Sequence, residues 1–241
     1  MISYKFGKRG FTLIELLVVI AIIAMLLSII MPALQKVKNQ AQASVCLSNV
    51  NSLIKCWMMY AQENDDRIIG SMTLTAGDPD YSWVAWPQDM NGNTVAHEDT
   101  TKEDEVRGIE MGLLYPYVDE SESYHCPADK RFLDSFGNGT LGYRTYGIAC
   151  GIGVCRDSEV TWMRIEPHTK YTTIRIPSNK YVFVEEGELQ RGFNLNNWVF
   201  RPQDYDQIVD SLGFFHSDRS IMGFADGHGE KHKWTDPDII D

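Results

Sequence analysis

The apolar residues of this chain are distributed very unevenly. Residues 1–10, MISYKFGKRG, are short and polar, with Lys5, Lys8 and Arg9 as their charges. Phe11 to Ile30 then reads FTLIELLVVIAIIAMLLSII, in which Glu15 is the only charged residue. At about 1.5 Å per residue, a helix of that length covers about 30 Å, the hydrocarbon thickness of a bilayer. The run is longer than the apolar core of a secretory signal peptide. It continues into the helix-compatible MPALQKVKNQ rather than into a small-x-small cleavage site, so it reads as a retained anchor. Lys5, Lys8 and Arg9 outnumber Lys36 and Lys38 on the other side, which favours a cytoplasmic N-terminus. Pro32 removes one backbone bond from the helical run and is expected to kink it.

Beyond Pro32 the helical period persists. Cys46, Val50, Leu53, Ile54, Trp57 and Ala61 fall on one face, with Lys36, Lys38, Gln42 and Asn51 among the polar positions between them. The helix is expected from Phe11 to about Glu63, roughly 80 Å, with Asn64-Asp65-Asp66 as its stop. Residues 65 to about 140 read as loops with short elements, punctuated by Pro79, Pro87, Pro116 and Pro127. From Gly142 onward the pattern turns to strands. Candidates are Tyr143 to Ile148, Val160 to Ile165, Tyr171 to Ile176, Lys180 to Val184, Asn197 to Phe200, Leu212 to His216, Ser220 to Ala225 and Glu230 to Trp234. Asp226-Gly227 is a two-residue hairpin signal between the last two. The expected class is α+β: a long N-terminal helix, transmembrane over 11–31 and amphipathic over 32–64, packed on an antiparallel sheet in a head domain over 65–241.

Composition narrows the function classes. With 44% hydrophobic and 23% charged residues the chain is neither disordered nor collagen-like. A net charge of −11 leaves no basic surface for neutralising phosphates, so nucleic acid is not an expected partner. The acidic cluster Glu98, Asp99, Glu103, Asp104 and Glu105 reads first as a solvated face and otherwise as a divalent-cation site, though without the spacing of an EF-hand loop. Trp83 and Trp86 are core residues or a sugar-stacking platform. His228, Glu230 and His232 alternate along one predicted strand and share a face. That spacing is compatible with zinc, against the simpler reading of structural or exposed histidines. A divalent cation is thus the one cofactor to consider, and neither a nucleophile motif nor a phosphate loop points to an enzyme. Five cysteines in a head on the oxidising side of a membrane suggest disulfides, and the odd count leaves at least one thiol free. Cys150 with Cys155, and Cys46 with Cys126, are the two candidate bridges, with Cys56 as the free residue.

Glu15 needs a cause of its own. A carboxylate inside the membrane costs roughly 2.5–3.5 kcal/mol at mid-helix, less near an end, and calls for a partner. No cation lies within one turn downstream. Either the side chain reaches back to the interface beside Arg9, or a neighbouring chain supplies the partner, with an α-amino group at Phe11 best placed. A pair made between subunits satisfies two groups that are costly in lipid and fixes the axial register between chains.

Lys8-Arg9-Gly10-Phe11-Thr12-Leu13-Ile14-Glu15 followed by the apolar run resembles the N-terminal signal of type IV pilin and type II secretion pseudopilin precursors. The resemblance implies that a prepilin peptidase cuts between Gly10 and Phe11 and N-methylates Phe11, and that Glu15 pairs with the Phe11 amine of an adjacent subunit during assembly. It also implies a kink at Pro32, where pilin helices carry a proline. Loss of the leader would take the net charge from −11 to −14. At the other end His216, nine residues, then Asp226 and Gly227 resemble the processing-associated H-X9-DG domain found on pilin-like precursors, with no role implied for these residues. The expectation is a structural subunit of an inner-membrane-assembled filament, single-pass, with its head in the periplasm and other pilin or pseudopilin subunits as partners. The alternative is a minor or tip subunit, or adhesin, whose head binds glycan or exported cargo.

Overall fold

Thr12 opens the first helix because it and the residue three positions on satisfy each other. The Thr12 backbone N–H donates to Glu15 Oε2 at 2.8 Å, and the Glu15 N–H donates back to Thr12 Oγ1 at 3.3 Å. This reciprocal box relieves two of the backbone donors that every helix start leaves without a partner. The helix that follows, α1, spans Leu13–Glu63 in the computed structural model. That model describes residues 11–74, 82–96, 99–131, 135–136, 139–140, 142–153, 166–187, 210, 212–217 and 219–235.

The chain divides into two compact units, Met1–Ala41 and Gln42–Asp241. In the first, every residue from Phe11 to Ala41 is exposed, including the whole apolar run. Among the described residues α1 is the helix long and apolar enough to cross a membrane.

In the second unit, the C-terminal part of α1 buries one stripe, namely Ala43, Cys46, Val50, Leu53, Ile54, Trp57 and Ala61. This is the face the 3.6-residue period marks out. The helix stops where Asp65 and Asp66 take positive φ, 54° and 67°. Aspartate tolerates that region because its short polar side chain bonds locally. The Asp66 N–H then reaches the Ala61 carbonyl at 2.9 Å, and the Asn64 side-chain amide reaches the Tyr60 carbonyl at 2.8 Å, so carbonyls of the last turn are not left bare.

The stripe packs on a four-stranded antiparallel sheet in the order β5 (Tyr146–Ile148), β6 (Tyr181–Glu185), β7 (Arg219–Phe224), β8 (Gly229–Lys233). Contact is closest at Gly223, which pairs with Phe183 across the sheet; a Cβ placed there would lie 2.6 Å from Val50 Cγ1. Two smaller pairs complete the strands. These are β1 (Gly70–Leu74) with β2 (Ser82–Ala85), which is parallel, and β3 (Ser135–Phe136) with β4 (Gly139–Thr140), which is antiparallel. The architecture is α+β: a long apolar N-terminal helix and an antiparallel sheet head.

Several expectations need correction. The acidic stretch is a solvated face only in part: Asp99 and Glu103 are exposed and Glu98 lies outside the described residues, whereas Asp104 and Glu105 are buried on helix α2 (Lys102–Glu110), opened by a capping box between Thr101 and Asp104. Glu105 on this helix is buried and accepts from the backbone N–H groups of Tyr143 and Arg144 at 2.8 and 3.1 Å. Pro116 sits in the one-turn helix α3 (Tyr115–Val118). Tyr171 to Ile176 is not a strand. Tyr171–Thr173 forms a 3-10 turn, and Ile176 takes φ 54° ahead of Pro177. Leu212 makes a single bridge to Glu186, and the residues up to His216 lie outside any strand. The turn between β7 and β8 encloses three residues, Ala225 to Gly227, within the Phe224–His228 pair rather than two. Phe224 N–H bonds to the His228 carbonyl at 2.8 Å, and of the two expected turn residues only Gly227 has positive φ, at 98°, as in a type I turn closed by a left-handed residue. The expected strands at Val160 to Ile165 and Asn197 to Phe200 lie outside the described residues.

Candidate functional sites at the N-terminus and in the head

Phe11 is exposed and precedes the first turn of α1, while Gly10 and the rest of the leader lie outside the described residues. Glu15 is the third residue of the helix. Thr12 holds it twice, through the backbone N–H and through Oγ1, which donates at 2.7 Å. Both bonds fall on Oε2. Around and beyond this carboxylate Leu13, Ile14, Leu16, Leu17, Val18 and their successors to Met31 are all exposed. An apolar surface on every side of a helix has no partner within the chain and is suited to lipid or to other helices. Pro32 lies inside α1, which continues through it.

In the head, the sequence-selected residues are brought together in an unexpected way. Cys46, on the buried face of α1, is bonded to Cys126, which lies just after a 3-10 turn over Ser121–Tyr124. The two Cα atoms are 5.2 Å apart across 80 positions of sequence. His216, the histidine of the C-terminal motif, points its Nε2 at this bridge, 3.2 Å from Cys126 Sγ and 3.2 Å from Glu185 Oε1. The other Glu185 oxygen accepts from the Ile221 N–H at 2.8 Å, so β7 fixes the orientation of the carboxylate. Burial pushes the Glu185 carboxyl above the usual range, opposed by the hydrogen bond and charge interaction with His216. His216 and Asp226, the two ends of the motif, do different jobs. The histidine is buried under the sheet, whereas Asp226 is exposed in the β7–β8 loop and bonds the side chain of His228.

His228, Glu230 and His232 do not converge. His228 pairs with Asp226 and stacks on Phe224 with ring centroids 4.3 Å apart, and His232 bonds Glu230 at 3.0 Å beside Trp234. Among the described residues, the group whose ligand atoms do converge is Cys46, Cys126, Glu185 and His216. Cys150 has its expected partner Cys155 outside the described residues. Cys56 is a free thiol that donates to the Tyr117 carbonyl at 3.2 Å, and burial raises its pKa.

Trp83 is core rather than platform. It is fully buried, with ring centroids 5.8 Å from Tyr124 and 5.5 Å from Phe183, and the Arg144 guanidinium lies 4.8 Å over its face. Trp86 is half-buried and spends its indole N–H on the Thr73 carbonyl at 3.1 Å. Burial also lowers the Arg144 pKa to about 10, against the charges of Glu186 and Glu105.

Nothing in the sequence places Glu185 beside His216. Its signal was a carboxylate in an otherwise apolar strand, YVFVE, whose last residues are buried; a charge at such a position requires a partner.

Two comparisons with known proteins give a match. Residues 5–31 match the family model described as the prokaryotic N-terminal methylation motif. Over 59 residues, 24% of this chain, the sequence is 42% identical to the type IV wide pilus major component PilA4 of Thermus thermophilus. The match covers 45% of that relative, so the chain spans less than half the length of the curated protein it resembles. No solved structure matches the chain. The chain therefore carries a prepilin-type methylation motif on a pilin-like N-terminal helix, within an α+β architecture.

Proposed function

We propose that this chain is a structural subunit of a filament assembled at the bacterial inner membrane, in a type IV pilus-like or type II secretion system, and not an enzyme. The observation that carries this reading is the exposed apolar surface of α1 from Leu13 to Met31, interrupted by the single carboxylate of Glu15. In this reading a prepilin peptidase cuts between Gly10 and Phe11 and methylates the new amine. The helix remains in the membrane as a single span, with the N-terminus cytoplasmic and the head periplasmic. Neighbouring subunits then replace lipid around the helix, and the Phe11 amine of one meets Glu15 of the next.

The Thr12–Glu15 box supports a staged version of this. Before assembly the carboxylate is held on Oε2 by its own chain. A neighbour's amine then needs only Oε1, so the charge is never left without a partner in an apolar medium. The head-binding alternative loses the aromatic platform it depended on, since Trp83 is buried.

Intact-mass analysis and N-terminal sequencing of the membrane-extracted protein test the reading. The expected product starts at N-methylated Phe11, Gly10→Ala retains the leader as a slower band, and Glu15→Ala inserts normally but is absent from filaments. A product that starts at Met1 in cells with active peptidase, or normal incorporation of Glu15→Ala, overturns it.

A further inference from the structure

Assembly through α1 leaves the buried cluster in the head unused. Cys46 Sγ, Cys126 Sγ, Glu185 and His216 present their ligand atoms within 4.8 Å of one another, and all four residues are buried. They come from four places in the chain: the face of α1, the segment after the 3-10 turn at Ser121–Tyr124, the end of β6, and the turn ahead of β7. Two sulfurs, an imidazole nitrogen and a carboxylate oxygen form a four-donor set of the borderline-soft kind that suits Zn²⁺ in tetrahedral geometry.

The surroundings support these donors. Glu185 is held by the Ile221 N–H on Oε2, which leaves Oε1 facing His216 Nε2. The Cys126 backbone N–H is held by Thr145 Oγ1 at 3.0 Å, and Thr145 is itself tied to Asp129 Oδ2 at 2.8 Å. Such outer contacts are what fix ligands in metal sites. Among the described residues His216 Nδ1 is buried with no hydrogen-bond partner, so it is the Nε2 side that sets where the ring points.

We propose that Cys46, Cys126, Glu185 and His216 form a Zn²⁺ site that alternates with the Cys46–Cys126 disulfide. A dithiol reductant supplies two electrons and two protons and opens the bridge to two thiols, and is itself oxidised to its cyclic disulfide. Zn²⁺ then binds both sulfurs with release of the two thiol protons, while neutral His216 carries its ring proton on Nδ1 and coordinates through Nε2. A disulfide oxidant takes two electrons from the two thiolates and, with two protons, leaves as two thiols, so the Cys46–Cys126 bond re-forms, two ligands are lost and the metal is released. In either state residue 46 of α1 stays tied to residue 126 of the head, by sulfur–sulfur bonding under oxidising conditions and through the metal under reducing ones. This proposal does not rest on the filament reading.

The test uses the full-length chain in detergent, reduced with dithiothreitol, freed of it by anaerobic gel filtration, and titrated with Co²⁺ and then Zn²⁺. Expected is one Co²⁺ per chain with the visible bands of a tetrahedral complex and a sulfur-to-cobalt charge-transfer band, both erased by Zn²⁺. Oxidised protein gives no charge-transfer band, and Cys150→Ser/Cys155→Ser retains the wild-type signal. His216→Ala and Glu185→Gln keep both cysteines. They are first shown to fold when oxidised by near-ultraviolet circular dichroism, and after reduction they are expected to bind about tenfold or more weakly. The proposal is overturned if reduced, folded wild type shows no charge-transfer band. It is equally overturned if the band survives in Cys46→Ser, or if His216→Ala binds Co²⁺ as tightly as wild type.

Discussion

Gly223→Ala adds one methyl group at the closest approach of α1 to the sheet. The new Cβ would sit 2.6 Å from Val50 Cγ1, with Phe183 Cβ at 3.6 Å and Ile54 Cβ at 3.8 Å. Val50 and Ile54 are both fully buried, and valine is stiff at χ1, so the clash is not relieved by a free rotation. Overpacking of this kind costs about 1–3 kcal/mol. Val50→Ala at the same contact removes two carbons, about 1.6 kcal/mol of transfer free energy, and with the cavity left behind the cost rises to roughly 2–3 kcal/mol. In the double variant the methyl at 223 enters the space vacated at 50. The two costs are therefore expected to fall short of their sum by about 1–3 kcal/mol. Urea unfolding of the full chain in detergent, followed by tryptophan fluorescence, measures this, because Trp57 and Trp83 are fully buried in the head and report its opening. If the two costs add to within about 0.5 kcal/mol, Val50 and Gly223 are not in contact and the helix–sheet register described here is wrong.

Two further predictions concern buried polar groups. His125 is half-buried and stacked on Tyr143, with its Nδ1 2.7 Å from the Tyr143 carbonyl, and therefore protonated on that nitrogen. Burial lowers its pKa, opposed by that bond and Asp129 and reinforced by Lys130 and Lys102. A histidine whose pKa is depressed by folding contributes stability that is complete above its unfolded value of about 6.5 and is lost as the pH falls through the folded one. The melting temperature of wild type should thus drop across this acid window more than that of His125→Gln, and parallel profiles would refute the assignment. Glu105 carries the backbone N–H groups of Tyr143 and Arg144 and lies in the field of the Arg144 guanidinium. Glu105→Ala is expected to cost about 1–3 kcal/mol for each of the two buried N–H groups that loses its carboxylate acceptor. Glu105→Gln keeps an acceptor, so a loss in urea stability equal to that of alanine would refute this role.

The parts of the fold that could be read in advance are those with a long, regular period. The stripe from Cys46 to Ala61 and the stop at Asn64-Asp65-Asp66 follow from helical spacing and local side-chain bonding, and both appear in the structure. Strands β6, β7 and β8 were readable from apolar runs bounded by turn residues. Tyr171 to Ile176 misled because Thr and Ile favour strands locally, whereas the segment is held by tertiary bonds: Asp66 accepts from the Tyr171 and Thr172 N–H groups. Helix α2 was hidden by its acidity, although Thr101-x-x-Asp104 is a capping box that the spacing alone allowed. Cys46 with Cys126 was a candidate pair from the sequence, whereas the addition of Glu185 and His216 to it was beyond reach. Each residue lies on a different element, and no local pattern states that the turn before β7 returns to the end of β6.

The Cys46–Cys126 bridge also has a mechanical consequence. Because it joins positions 80 apart, the intervening segment hangs from the covalent path as a side branch. Traction applied between the N-terminal helix and any point beyond residue 126 passes through sulfur and bypasses everything from 47 to 125. The last third of α1, the β1–β2 pair and α2 all lie in that bypassed stretch, so a pulled chain would yield elsewhere before these elements were stretched.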